Sequence, residues 1–135
     1  ALKAEYTLPG ISQSVVITRM AGRTPVPEKE SIRSFAAHQA TMVLFLSTGM
    51  LEKLSEELVA GGYQEETPAA IVYKATWPEE KVMHCTVGTL AETAEREKVT
   101  KTALIVVGNV LNTEYERSKL YDPAFTTEFR KGKEV

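Results

Sequence analysis

A single cysteine, Cys85, stands in the 135 residues, so no disulfide can close within the chain and nothing points to an oxidising compartment. Histidine is equally scarce. His38 and His84 are the only two, far apart in sequence, and no CxxC, HExxH or HxH spacing occurs; no metal site is expected. Long apolar runs are missing, since none approaches the ~20 residues of a membrane span. Residues 1–6 lack the form of a secretory signal, and the expected setting is cytoplasmic. Charge of one sign is also lacking: 16 Lys and Arg against 18 Asp and Glu leave a net charge of -2. The charges are interspersed, so the basic footprint that neutralises nucleic-acid phosphates is absent. The longest basic cluster, residues 130–133, reads as a solvated tail. Gly61-Gly62 and Gly108-Asn109 lack the GxGxxG context of a dinucleotide turn, and Ser47 lacks a GxSxG setting.

What is present is an apolar share of 43% and a charged share of 25%, enough for one domain with its own core. Five apolar, β-branched runs, at 14–19, 41–46, 69–76, 81–87 and 102–107, alternate with helical stretches. A helix is predicted over 28–38, with Ile32, Phe35 and Ala36 at helical spacing and acids in its first turn. A second carries Met50, Leu51, Leu54 and Leu58, with Ser47 or Thr48 able to cap it and Gly61-Gly62 to stop it. A third starts at Thr89, where Glu92 three residues on suggests a capping box. After Asn109 periodicity is lost.

Connectivity sets directions. Strands one to three are joined by helices and should run the same way. The link 77–80 is too short for a crossover and turns strand four back, and the helix from Thr89 makes strand five parallel to four. The class is therefore α/β with a mixed five-stranded sheet. One edge should collect the carboxyl ends of the first three strands and the amino end of the fifth, bringing Arg19, Leu46, Ala75, Thr76 and Ala103 together. Open α/β sheets bind ligands beyond strand carboxyl ends.

Few side chains suggest acid–base or nucleophilic work. Glu79, Glu80 and Asp122 read as solvated loop carboxylates. Arg19 and Arg23 flank a proline-stiffened loop at the binding edge, where guanidinium forks can grip carboxylates; a salt bridge to Glu28 or Glu30 is the competing reading.

The stretch Arg19-Met20-Ala21-Gly22-Arg23-Thr24-Pro25-Val26-Pro27-Glu28 resembles the "TR.GRTPVPE" segment of the methyltransferases acting on precorrin-4 or cobalt-precorrin-4 at carbon 11, in corrin biosynthesis. Further similar segments follow in order: Tyr6-Thr7-Leu8-Pro9 with Ser12-Gln13-Ser14, His38-Gln39-Ala40-Thr41-Met42 leading to Phe45-Leu46-Ser47, Ala75-Thr76-Trp77-Pro78-Glu79-Glu80-Lys81, and Lys119-Leu120-Tyr121-Asp122-Pro123-Ala124-Phe125. The resemblance implies the second domain of a two-domain tetrapyrrole methylase, a three-layer αβα sandwich with S-adenosylmethionine folded between the domains and S-adenosylhomocysteine left as product. It implies that 1–12 end an interdomain helix and linker, that 13–110 form the α/β domain and that 111–135 form an irregular tail. The family's glycine-rich "GPGxG" turn, "GD" loop and serine-rich segment belong to a first domain not present in this sequence. Position by position, the resemblance makes Leu46, Ala75, Thr76 and Ala103 cofactor-binding, and places Arg19, Arg23 and Thr24 toward the acidic macrocycle. No residue is expected to act as a strong base or nucleophile. A homodimer with a tetrapyrrole substrate is implied, and this half alone is expected to be inactive. The alternatives are a stand-alone α/β ligand-binding or dimerisation domain, and another tetrapyrrole methylation such as that of uroporphyrinogen III.

Overall fold

Each of the five apolar runs becomes a strand in the computed structural model, which describes residues 1–46 and 48–112. They are β1 (Val15–Arg19), β2 (Thr41–Leu46), β3 (Pro68–Tyr73), β4 (Lys81–Thr86) and β5 (Ala103–Val107). They form one sheet in the order β1-β2-β5-β3-β4. β1 and β2 pair in parallel, and β5 lies antiparallel between β2 and β3. β4 turns back on β3 as an antiparallel hairpin. Strands one to three thus share a direction and strands four and five oppose it, as connectivity required.

Helices α1 (Ile32–Ala36), α2 (Leu51–Gly61) and α3 (Leu90–Arg96) pack through one apolar cluster. It joins Ile32 and Ala36, Leu51, Leu54 and Leu58, and Leu90 and Ala94 to Met42, Leu44, Ile71 and Ile105 of the sheet. The predicted leucine stripe of α2 is fully buried, each side chain contributing about 1.5–3 kcal/mol over an exposed position. The opposite sheet face carries Ala70, Val72 and Val106, covered by Leu8, Val110 and Leu111. A second helical layer is not among the described residues. Buried Thr41 ties the amino-terminal segment to the sheet: its hydroxyl donates to the Tyr6 carbonyl at 2.8 Å, and its amide donates to Ser12 Oγ at 3.1 Å.

Several local expectations change. The helix predicted over 28–38 divides at Ser31, whose extended backbone ends a short 3-10 turn (Glu28–Glu30) and whose hydroxyl accepts from the Ser34 amide to start α1. The capping box lies one turn earlier than expected. Thr86 and Thr89 make it together, opening the turn Val87–Thr89, so Thr89 Oγ1 accepts from the Thr86 amide at 3.0 Å instead of capping α3. Met50 stands at the start of α2 without a side-chain cap bond, and Ser47 lies outside the described residues. Residues 1–6 form no helical turn, and most of the expected tail, 113–135, also lies outside the described residues. No helix among the described residues is long and apolar enough to cross a membrane.

Gly61, the last residue of α2, meets α1 directly. A Cβ there would sit 2.5 Å from both Ala36 Cβ and the Arg33 carbonyl oxygen. Hydrogen at this position allows the two helices their close approach, and Arg33 then forms a two-pronged pair with Glu57 at 3.2 Å.

Candidate functional site

The rim expected from connectivity is present. Leu46 stands opposite Ala103, and Ala103 opposite Tyr73, so the ends of β2 and β3 meet the beginning of β5. Two residues beyond Tyr73 is Ala75, and the Lys74 amide donates to the Thr102 carbonyl at 2.9 Å, holding the departing chain against the start of β5. Arg19 closes β1 opposite Phe45. Leu46, Ala75, Thr76, Ala103 and Arg19 therefore lie along one edge of the sheet.

This edge carries unusual backbone. Lys74, Thr76 and Thr102 take φ of 47°, 72° and 60°, a region costly for side chains with a Cβ and most of all for β-branched threonine. By contrast, Gln39 and Lys98 (φ 51° and 57°) follow α1 and α3, where a single left-handed residue is an ordinary stop. The rim cluster ends β3 at Tyr73, three residues short of the predicted strand, and swings the following chain outward. Ala75 is half-buried and forms no hydrogen bond with a described residue. A backbone amide and carbonyl are thus left beside two small side chains, where a nucleoside can be met by main chain and packing alone. The fit to such a group is good.

The β3–β4 loop is firmly built. The Trp77 amide donates to the Lys74 carbonyl and the Glu80 amide to the Trp77 carbonyl, each at 3.0 Å. Glu80 Oε1 accepts from the Thr76 amide at 2.8 Å, so this carboxylate braces the loop. Trp77 is 52% exposed, and Lys74 Nζ lies 5.2 Å from its ring and 5.3 Å from that of Tyr73. In the sequence the only sign of this aromatic and cationic group is a lone tryptophan in an otherwise polar link.

Across the rim, the β1–α1 loop is organised from within. Arg19 donates Nη1 to the carbonyls of Met20 (3.4 Å) and Thr24 (3.2 Å) and Nη2 to that of Pro25 (3.2 Å). Neither Arg19 nor Arg23 pairs with Glu28 or Glu30. Arg23 and Thr24 are exposed, and Arg23 has no hydrogen-bond or ion-pair partner among the described residues. Arg19 thus ties the loop to the end of β1, and Arg23 is an exposed cation on that loop.

Groups for acid–base chemistry do not gather here. His38 and His84 are both exposed and lie away from the rim, one after α1 and one within β4. No cluster of three or more metal-ligating side chains occurs among the described residues. Cys85 is half-buried, and burial raises its thiol pKa, with a hydrogen bond from Thr93 and the charge of Arg96 opposing the rise. Asp122 lies outside the described residues. Among the described residues, no histidine or cysteine is brought to the rim.

Residues 1–91 match the family model of the tetrapyrrole (corrin/porphyrin) methylases. The chain is 53% identical over 132 residues to a cobalt-precorrin-4 C(11)-methyltransferase of Methanocaldococcus jannaschii, covering 97% of this chain and 51% of that protein. A solved cobalt precorrin-4 methyltransferase superposes with a TM-score of 0.79 at 41% identity, over 82% of this chain and 46% of that one. A uroporphyrin-III C-methyl transferase of Thermus thermophilus, solved in complex with S-adenyl homocysteine, shares the fold with a TM-score of 0.66 at 22% identity, over 84% and 48% of the two chains. The chain spans about half the length of the curated relatives it matches. With a matching family model over most of its length and a relative at this identity, the chain belongs to the tetrapyrrole methylases.

Proposed function

We propose that this chain is the carboxy-terminal half of an S-adenosylmethionine-dependent methyltransferase that methylates carbon 11 of precorrin-4 or cobalt-precorrin-4 in cobalamin biosynthesis. The observation that carries the reading is the meeting of Leu46, Ala75 and Ala103 on one rim, in a chain so similar to enzymes of that name. The cofactor, when bound, supplies an electrophilic sulfonium methyl. Leu46, Ala75, Thr76 and Ala103 hold it through backbone and packing, against an amino-terminal domain that closes the other side. Arg23 and Thr24 face the acidic macrocycle, and the Arg19 bonds to Met20, Thr24 and Pro25 keep their loop in one shape. Because the methyl donor is already activated, the residues of this half act by orientation and exclusion of water. Near-attack positioning is worth roughly 7–11 kcal/mol, and no general base is required of them. The same reading carries a homodimer and a cytoplasmic setting.

The test is methyl transfer from labelled S-adenosylmethionine to precorrin-4 and to its cobalt form by the two-domain protein that contains this chain. One methyl at carbon 11 is expected, with the better of the two substrates showing which form is used. The 135-residue chain alone should give no turnover and at most weak cofactor binding by calorimetry. Tight, stoichiometric S-adenosylmethionine binding by the chain alone contradicts the shared site.

A further inference from the structure

The geometry points to Trp77 and Lys74 as a second recognition wall for the macrocycle, facing Arg23 across the rim: a flat indole for the ring and an ammonium for its acid side chains. The inference rests on the methyltransferase reading and extends it to residues that reading leaves without a role.

Trp77 is a large aromatic left half in water, yet its position is fixed. The two 3.0 Å backbone bonds and the Glu80 brace hold its loop, and left-handed Lys74 and Thr76 stand just before it. Backbone strain of this kind persists only where the surroundings impose it. The Lys74 ammonium lies over two ring faces and makes no ion pair among the described residues. A cation over aromatic rings keeps N–H donors free for an incoming carboxylate and is less hydrated than one in open water. The indole adds a flat apolar face on which a ring can stack.

Spacing favours the macrocycle over a single nucleoside base. β1 and β3 are three strand intervals apart in the sheet order, about 14 Å at ~4.8 Å per interval. The Arg23 loop and the Trp77 loop stand at the two sides of that span. On the Arg23 side of that span, Ile17 of β1 (67% exposed) and Phe45 of β2 (58%) share one sheet face by register, an exposed apolar patch beside the loop. A ligand that meets both walls must be wide, flat and acidic at more than one margin.

Trp77 is the only tryptophan in the chain, so its fluorescence reports the wall directly. Uroporphyrin III, a tetrapyrrole with carboxylates around its rim, is the probe for titration of the 135-residue chain, with correction for inner-filter absorption. Saturable quenching is expected. Lys74→Gln should weaken the apparent affinity by about tenfold, the scale of one charge-assisted contact, and Lys74→Arg should largely restore it. In the two-domain protein, Lys74→Gln and Trp77→Ala should raise the tetrapyrrole KM with the S-adenosylmethionine KM unchanged, and Trp77→Phe should recover most of the loss. Quenching that does not saturate, or is the same in Lys74→Gln, overturns the wall. So does quenching by S-adenosylhomocysteine in place of the porphyrin, which would give the indole to the cofactor. Failure of the unsubstituted two-domain protein to methylate any tetrapyrrole removes instead the reading beneath it.

Discussion

Replacing Gly61 with alanine sets two opposed effects of known size against each other. Glycine within a helix costs about 0.8–1.0 kcal/mol relative to alanine, so on propensity alone Gly61→Ala should stabilise the chain. The added methyl, however, would lie 2.5 Å from Ala36 Cβ and 2.5 Å from the Arg33 carbonyl oxygen. The second contact is with main chain, which no rotamer change can relieve, so α1 must move bodily and strain the Arg33–Glu57 pair. Overpacking of this sort costs about 1–3 kcal/mol, and two such contacts place it at the upper end. The net is a loss of about 2 kcal/mol. With a urea dependence of ~2 kcal/mol/M, the unfolding midpoint by far-ultraviolet circular dichroism should fall by about 1 M. A Gly61→Ala midpoint equal to or above the parent's would refute the close helix contact and leave propensity as the whole effect.

Arg19→Lys exchanges a fork bonded to three carbonyls for a single ammonium; in the two-domain protein it should raise the tetrapyrrole KM about tenfold, taking one to two of these bonds as lost at ~1 kcal/mol each, and leave the S-adenosylmethionine KM nearly unchanged. Equal effects on both constants would count against a loop-positioning role. Tyr63 is buried and donates its hydroxyl to the Ala40 carbonyl, and burial pushes its pKa from 10.0 up to about 12. Below pH 10 the phenol is protonated in both states and its contribution is whole; between 10 and 12 the unfolded chain loses the proton first, so stability should fall with rising pH. Tyr63→Phe should lack that alkaline slope in urea titrations. Cys85, its pKa raised chiefly by burial, should react slowly with iodoacetamide at pH 7 in the folded chain and fast in urea; rapid labelling of the folded chain would contradict its placement.

Much of the rim was legible beforehand because strand direction follows from what joins the strands. A four-residue link cannot make a crossover, so β4 had to turn back, and with it β5 was set against β1–β3. The insertion of β5 between β2 and β3 was not legible, since sequence order carries no information on lateral neighbours. Locally, the hydroxyl residues misled most. Ser31 and Thr86 each compete for backbone amides through side-chain oxygens, and only tertiary packing decides which turn each one caps. The left-handed Lys74, Thr76 and Thr102 had no sign in residue type, because the sheet edge and the Glu80 carboxylate impose that conformation on side chains that resist it. Arg19 was placed correctly at the edge, yet its partners are main-chain carbonyls, which no pattern of side chains can announce.

Hydrogen exchange on the two-domain protein tests the shared cofactor rim most directly. On adding S-adenosylhomocysteine, amide protection is predicted to rise at residues 46, 75, 76 and 103, while Val15, Thr41 and Val107 at the opposite edge of the sheet keep their rates. Protection confined to that opposite edge, or none in this half at a saturating concentration, would contradict the account.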